Sequence, residues 1–175
     1  MTEAIDAALL VIRITTGIVF AAHGVKHALG RVKTTNWFAS LGFKAPGFQW
    51  FMSTATELGV GVLLIFGFFT ALAAAGLIGI MFVAYWTNHR PAGFFITAFM
   101  KQGIDVEGWE YVWVLAMIGL ALAVGGPGGI SLDEAAGIAD QLDGWVGLGV
   151  ATVGLVLGAG LVAMFWRPGQ VERSL

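Results

Sequence analysis

The sequence contains no cysteine, and it has few charged residues. Without cysteine anywhere in its 175 residues, the chain alone can form no disulfide, thiolate nucleophile, iron–sulfur cluster or thiolate-ligated zinc site. Charged residues make up only 11% of the chain and the net charge is −2, so there is no basic field for nucleic acid. These shortages exclude thiol chemistry and nucleic-acid binding.

Apolar residues and glycine are in excess. Hydrophobic residues account for 58% of the chain, whereas a globular domain is about 45–50% apolar and about 25% charged. A water-soluble fold of this size cannot bury so much apolar surface. The 26 glycines fit the same interpretation, because glycine is common in membrane-spanning helices and lets packed helices approach closely. The composition therefore predicts an integral membrane protein in contact with the lipid bilayer.

Five apolar stretches are long enough to cross a membrane. About 20 residues of helix span a hydrocarbon core of about 30 Å, and the stretches cover approximately residues 5–25, 50–68, 70–86, 109–124 and 145–166. The predicted fold class is an all-α membrane protein: an antiparallel four-helix transmembrane bundle plus an additional C-terminal transmembrane helix. We expect residues 1–133 to form the four-helix domain. Residues 134–175 are expected to form an acidic loop, the fifth helix and a short cytoplasmic tail.

The positions of lysine and arginine predict the orientation of the spans. If the five spans alternate, eight of the nine basic residues fall on one side, while Arg13 lies inside the first span. Lysine and arginine are enriched on the cytoplasmic side of membranes. The amino terminus is therefore predicted to lie outside the cell, and the carboxyl terminus in the cytoplasm. The eight residues are Lys26, Arg31, Lys33, Lys44, Arg90, Lys101, Arg167 and Arg173.

Two charged residues, Arg13 and Glu57, lie well inside predicted spans rather than at their ends. Ionisable groups there are costly and usually face the bundle interior. Glu57 in the second span needs to be protonated or paired. Helix geometry places His23 nearest to it in depth, with Arg13 deeper on the other side. Glu57 is interpreted either as a proton-handling or quinone-contacting carboxylate or as a structural acid. Arg13 keeps its charge, and it is interpreted either as an anion or substrate clamp or as a structurally paired residue.

A histidine and lysine cluster ends the first span. His23 and His27 are one turn apart on the same helix face, a spacing that can bind a metal or a haem. No metal site is expected here, because the sequence shows no carboxylate triad beside them. In one interpretation, the cluster is a set of polar residues that lie in the membrane interface at the end of a helix. Another places His23 and Lys26 with Glu57 in one polar pocket that faces the cytoplasm.

Two further residues are candidates for completing this polar pocket. His89 ends the third span and Glu110 begins the fourth. Both segments are predicted to emerge on the same side of the membrane as the histidine and lysine cluster. The alternative interpretation of these residues is a solvated loop.

Three segments in order resemble the DoxX family of small bacterial and archaeal membrane proteins. RITTGIVFAAHGVKHALG starts at Arg13, ELGVGVLLIFGFFTALAA starts at Glu57, and GGPGGISLDE starts at Gly125. The combination of all three is more specific than any one of them. Carried onto this chain, the resemblance implies a polar pocket of Arg13, His23, Lys26 and Glu57.

The family resemblance implies membrane redox chemistry, since relatives include a subunit of thiosulfate:quinone oxidoreductase. It covers approximately residues 9–133 and implies the plasma membrane of a prokaryote. The predicted function is an integral membrane subunit of a larger respiratory or redox complex, accessory or quinone-contacting, with the electrons carried by a partner. No cofactor is firmly implied, and quinone is the one candidate. The expected partners are other membrane subunits or further copies of the chain. Whether the chain is itself an enzyme stays open.

An alternative function belongs to a different class of protein. In that interpretation the chain is a stand-alone small transporter or proton-coupled channel, with the intramembrane Arg13 and Glu57 on its pathway. Transporters usually contain inverted repeats and broken helices. No clear repeat is visible in this sequence, although a homodimer would supply the symmetry.

Overall fold

The computed structural model describes residues 3–168, and these residues form eight α-helices and no strand. Consecutive long helices run antiparallel, and short helices connect or flank them. In chain order the helices are α1 (Glu3–Leu29), α2 (Arg31–Ser40), α3 (Pro46–Phe66), α4 (Thr70–Ala84), α5 (Glu110–Gly125), α6 (Leu132–Ala135), α7 (Ala139–Leu142) and α8 (Gly144–Phe165). The predicted all-α membrane fold is confirmed.

Each predicted span corresponds to a helix, but the helix ends differ from the prediction. α1 continues to Leu29 and α3 already begins at Pro46, so more polar residues lie inside helices than expected. α2 was not predicted at all. α4 continues as a π-helical turn, Tyr85–His89, and with that extension it is one of four helices long and apolar enough to span a membrane. α5 has 16 residues, which corresponds to about 24 Å.

The five long helices alternate in direction, which gives the molecule two chemically different ends. Arg167 N donates to Gly42 O at 2.8 Å, so the end of α8 lies beside the connection between α2 and α3. Gly129 N donates to Asp6 Oδ1 at 2.7 Å, so the loop after α5 lies beside the start of α1. We call the first the basic end, because the described residues of the predicted cytoplasmic set lie there. Arg173 and the predicted tail, residues 169–175, lie outside the described residues.

Glycine sets the distance between α1 and α3. A Cβ atom on Gly17 would lie 2.8 Å from Gly61 O, and a Cβ atom on Gly61 would lie 2.6 Å from Ala21 N. Both approaches are to the backbone of the other helix, which cannot move aside as a flexible side chain can. The two helices therefore pack at backbone distance, as small residues permit in membrane bundles.

The fifth spanning helix, α8, packs against the rest of the bundle through a second set of small residues. Cβ atoms on Gly154 and Gly158 would collide with backbone atoms of Ala75 and Gly79 on α4. Ala151 on α8 packs in a small cluster with Ala123 on α5. The helix that the sequence places at the periphery is thus closely packed on α4 and α5, with its outer face exposed.

Replacing Gly61 with alanine tests the close packing of α1 on α3. The new methyl group would meet the backbone of Ala21, so Gly61→Ala is expected to destabilise the protein by about 1–3 kcal/mol. The measurement is the midpoint of thermal unfolding in detergent. Gly59→Ala is the matched control on the same helix, because no heavy atom of the described chain lies within 4 Å of its added Cβ atom. Equal midpoints for the two variants would contradict the packing described here.

Candidate functional site

Arg13 is buried and bonded to the backbone of two other segments. Only 1% of its surface is exposed. One terminal nitrogen donates to Leu64 O at 3.1 Å near the end of α3, and the other donates to Ile130 O at 2.6 Å in the loop after α5. The guanidinium occupies the space that a side chain at residue 67 would fill, so glycine is required at that position. Arg13 therefore joins α1, the turn after α3 and the loop after α5.

Asp133 completes this arrangement from the other side of the turn. Its carboxylate accepts from Phe69 N at 2.7 Å and from Thr70 N at 2.9 Å, and its own N–H donates to Gly67 O at 2.9 Å. A negative charge at the N-terminus of α4 is favoured by the helix dipole. Asp133 is also close enough to attract the charge of Arg13. We call Arg13, Gly67 and Asp133 the hairpin lock.

The hairpin lock separates Arg13 from Glu57, which the sequence grouped in one pocket. Arg13 contacts Leu64, and Leu64 lies seven residues beyond Glu57 on α3, or about 10 Å along the axis. Two of the three guanidinium nitrogens of Arg13 donate to backbone carbonyls, and its Nε has no partner among residues 3–168. This geometry agrees with the interpretation of Arg13 as a structurally paired residue rather than an anion or substrate clamp. Asp133 was seen in the sequence as part of a motif, but nothing there linked it to Arg13.

A groove of about 590 Å³ opens between α3, α4 and α8. Most of its lining is apolar, and α2 contributes Trp37 and Phe38 near the basic end. Its polar lining residues lie toward that same end. They are His27, Gln49, Ser53, Thr56, Glu57 and Thr87.

Glu57 is the buried ionisable group of this groove. Its residue surface is 6% exposed, and Oε2 lies 2.8 Å from His27 Nδ1. That contact lacks the alignment of an N–H···O hydrogen bond, so Oε2 has no hydrogen-bond partner within the described part of the chain. A buried acceptor without a partner is costly. The groove therefore presents an acceptor that a ligand can satisfy.

His27 connects Glu57 to the surface of the basic end. Its side chain is 18% exposed. Trp50 Nε1 donates to the backbone oxygen of His27 at 2.9 Å, and Ser53 Oγ lies 3.4 Å from its Nδ1. Trp50 in turn carries the guanidinium of Arg31 over its ring at 4.7 Å. The pair is thus held in place by residues of α1, α2 and α3.

The residue expected beside Glu57 was His23, and that expectation is wrong: the partner is His27. Both lie on one helix face, but His23 is exposed and its Nδ1 contacts Val19 O at 2.9 Å. The structure brings His27, one turn further along α1, beside Glu57 and leaves His23 exposed. Lys26 is exposed as well. Sequence spacing singled out His27 only as a metal candidate.

The two residues proposed to complete the pocket lie elsewhere at the basic end. His89 Nδ1 contacts Glu107 O at 2.8 Å, and Glu110 is the first residue of α5. Neither is among the groove-lining residues of the described chain. Thr87 of the π-helical turn lines the groove instead, and π-helical turns are frequent at functional sites. Across residues 3–168, no group of three or more histidine or acidic side chains could hold a metal ion.

The arrangement suits an amphipathic ligand. The apolar walls can cover a hydrocarbon chain, while the carboxylate, the imidazole and neighbouring hydroxyl groups can bind a polar head. The fold and the groove define a multi-pass α-helical membrane protein with a largely apolar groove between its helices.

A comparison with family models matches one segment of the chain. The DoxX family model matches residues 8–90, which extend from α1 to the end of the π-helical turn after α4. Over this segment, which is just under half of the chain, the protein is similar to DoxX-family proteins. Its hairpin lock is completed by Asp133, and its groove by α8, which both lie beyond the matched residues.

Two curated relatives cover most of the chain. It is 29% identical over 133 residues to "Putative oxidoreductase CatD" of Bacillus subtilis (strain 168), covering 76% of this chain and 90% of that protein. It is 27% identical over 129 residues to "Inner membrane protein YphA" of Escherichia coli (strain K12), covering 72% of this chain and 88% of that protein. No solved structure matches the chain with significance.

Removing the charge of Asp133 tests the hairpin lock. Asp133→Asn keeps the size of the side chain but leaves one of its two backbone donors facing an amide nitrogen. Because hydrogen bonds to charged groups contribute about 1.5–3 kcal/mol, the variant is expected to lose stability of that order. The midpoint of thermal unfolding in detergent measures it, and Glu134→Gln at the exposed neighbouring residue is the control. An Asp133→Asn midpoint equal to the control's would show that the lock contributes little.

Proposed function

We propose that this protein is the membrane-embedded accessory subunit of a quinone-linked redox complex, and that the groove beside Glu57 holds the quinone. The observation that carries the proposal is the buried Oε2 of Glu57, which lacks a hydrogen-bond partner in the described chain at the polar end of an apolar groove. Support comes from the family's implied link to redox chemistry and from a relative named as a putative oxidoreductase.

The residues present fit a quinone. A quinone has a hydrogen-bonding head and, in membranes, a long apolar tail. The reduced head carries hydroxyl groups, and one of these would donate to Glu57 Oε2, the acceptor that lacks a partner. The groove walls at Val60 and Leu63 on α3 and at Val150 on α8 lie beyond Glu57, away from the basic end, and would cover the tail. A bound quinone supplies two-electron, two-proton redox chemistry, which no side chain of this protein provides.

The side chains of the groove would bind the head and hold a proton. Glu57 accepts a hydrogen bond when ionised and donates one when protonated. His27, in contact with Glu57 and partly exposed at the basic end, is placed to exchange that proton with the aqueous phase. Electrons would come from a partner subunit, because the chain has no cysteine to ligate an iron–sulfur cluster.

The position of Arg13 gives the transport alternative little support. A pathway through both intramembrane charges requires Arg13 and Glu57 to face one cavity. Arg13 instead binds carbonyl groups in the hairpin lock and is not among the groove-lining residues of the described chain. The accessory-subunit proposal needs only Glu57 and its groove.

The same proposal includes the orientation of the protein in the membrane, its cellular location and the division of the chain into two parts. The basic end would face the cytoplasm of a prokaryotic cell, which puts the start of α1 outside the plasma membrane. His27 would then exchange protons with the cytoplasm. Residues 1–133 would be the DoxX-like unit, and residues 134–175 would add the wall made by α8.

Replacing Glu57 with glutamine tests the proposed quinone site. Glu57→Gln keeps the shape of the side chain but removes its charge and its ability to exchange a proton. Binding of reduced and oxidised decylubiquinone is measured in detergent, the oxidised form by quenching of tryptophan fluorescence. Affinity for the reduced form is expected to fall about tenfold, since one charge-assisted hydrogen bond contributes about 1.5 kcal/mol or more.

The control for this test is Glu107→Gln, an exposed carboxylate at the same end of the molecule. Thermal unfolding of each variant shows whether the fold is kept. Wild-type affinity in a folded Glu57→Gln variant would contradict the proposed role of Glu57. Absence of any quinone binding by the wild type would contradict the proposed function.

Isolation from native membranes tests the accessory role. The tagged protein is extracted in mild detergent, and proteins retained in stoichiometric amount are identified by mass spectrometry. We expect a partner that carries a flavin, haem or iron–sulfur centre, because this chain contributes no thiolate for an electron carrier. Recovery of the chain alone, or only with further copies of itself, would contradict the accessory role.

A further inference from the structure

We propose that the connection between α4 and α5 inserts into the bilayer and binds the acyl chains of the leaflet at the basic end. We call residues 93–100, which have the sequence GFFITAFM, the aromatic connector. The aromatic connector contains three phenylalanines and no charged residue. The inference does not depend on the proposed function, because none of these residues, all of which the structure describes, lines the groove beside Glu57.

The side chains of the aromatic connector face outward instead of packing in the core. Phe95 is 65% exposed and Met100 is 75% exposed. Phe94, Ile96 and Phe99 are exposed as well. Apolar surface left in water costs about 25 cal/mol per Å² relative to burial, and contiguous exposed apolar patches mark interaction sites. Contact with acyl chains would remove this cost.

The start of α5 lies closer to the membrane centre than the end of the α4 segment does. A Cβ atom on Gly119 of α5 would lie 2.8 Å from the Leu77 side chain of α4, so these residues are at similar depth. From there α4 and its π-helical turn continue to His89, about 18 Å, whereas α5 extends back only to Glu110, about 14 Å. With 16 residues α5 is about 24 Å long, which is less than the hydrocarbon core of about 30 Å. The connecting chain therefore returns toward the membrane before α5 begins.

Backbone hydrogen bonds hold the aromatic connector against the start of α5. Trp109 N donates to Gly93 O at 3.0 Å, and Glu110 N donates to Phe94 O at 2.9 Å. The rings of Phe94 and Trp109 are also in edge-to-face contact, with their centroids 4.7 Å apart. The first residues of the connector are thus level with the first turn of α5, where Trp113 is exposed on the outer surface. The connector continues the surface that α5 presents to lipid.

Charged residues flank the aromatic connector on both sides. Arg90 precedes it, with its guanidinium 4.5 Å over the ring of Trp86, and the exposed Lys101 follows it. Long basic side chains at a membrane surface keep their charge among the headgroups while their stems contact apolar groups. The acidic Asp105 and Glu107 come later, in an exposed stretch. This order of polar, apolar and polar residues fits a segment that enters the membrane interface and leaves it again.

Because the chain has no cysteine, a single introduced cysteine gives a label at one position. Phe99→Cys is labelled with a nitroxide, and the purified protein is reconstituted in phospholipid nanodiscs. Electron paramagnetic resonance measures how often the label collides with oxygen, which concentrates in hydrocarbon, and with a water-soluble nickel chelate. Val156→Cys on the exposed side of α8 is the control inside the membrane, and Glu107→Cys is the control in water. Phe95→Cys replaces Phe99→Cys if the latter does not fold.

The ratio of oxygen collisions to nickel collisions at residue 99 is expected to be several-fold above the ratio at residue 107 and closer to that at residue 156. A ratio equal to that at residue 107 would overturn the proposal, because the connector would then lie in water. A label that is screened from both reagents would also overturn it, because protein would then cover the surface. Neither result bears on quinone binding, which is measured separately.

Discussion

A guanidinium buried in a membrane-spanning bundle has to be satisfied by the polypeptide, because hydrocarbon offers it no hydrogen bonds. In this protein the two terminal nitrogens of Arg13 donate to backbone carbonyls from the end of α3 and from the loop after α5. Asp133 then binds the two N–H groups that open α4. The hairpin lock thus fixes the turn between α3 and α4 and joins it to α1. The angle and depth at which α3 and α4 diverge, and hence the groove between them, depend on this arrangement.

The two intramembrane charges have different tasks. Arg13 has its terminal nitrogens bound to the backbone near the end of α3, whereas Glu57, at mid-depth, has a carboxylate oxygen without a hydrogen-bond partner among residues 3–168. Backbone hydrogen bonds from both terminal nitrogens make Arg13 a stabilising part of the fold, whereas a carboxylate oxygen without such a bond is suited to a ligand or a proton. Glycines of α1, α3 and α8 bring helix backbones into contact where these helices pack. The groove remains open between other faces of α3, α4 and α8.

Much of the fold follows from the sequence, because span length and apolar composition are properties of single segments. Alternation of the five helices also follows, since it separates the basic residues from the acidic loop. The pairing at Glu57 did not follow, because it depends on how α1 and α3 pack against each other, which brings His27 rather than His23 beside Glu57. The contact of Arg13 with residues near Asp133 joins segments that are far apart in the chain, so no local pattern could reveal it. The closure of the groove by α8 likewise depends on how distant segments pack together, which no local pattern reveals.

The central claim is that a quinone binds between α3, α4 and α8 with its head at Glu57. The most direct measurement is photoaffinity labelling with an azidoquinone, followed by mass spectrometry of the labelled peptides. The account predicts labels on groove-lining residues of α3 and α8, near Glu57 and Val153, with labelling suppressed by excess decylubiquinone. Labels confined to the second apolar groove of about 570 Å³, which is lined by Trp113 and Met117 of α5, would contradict it.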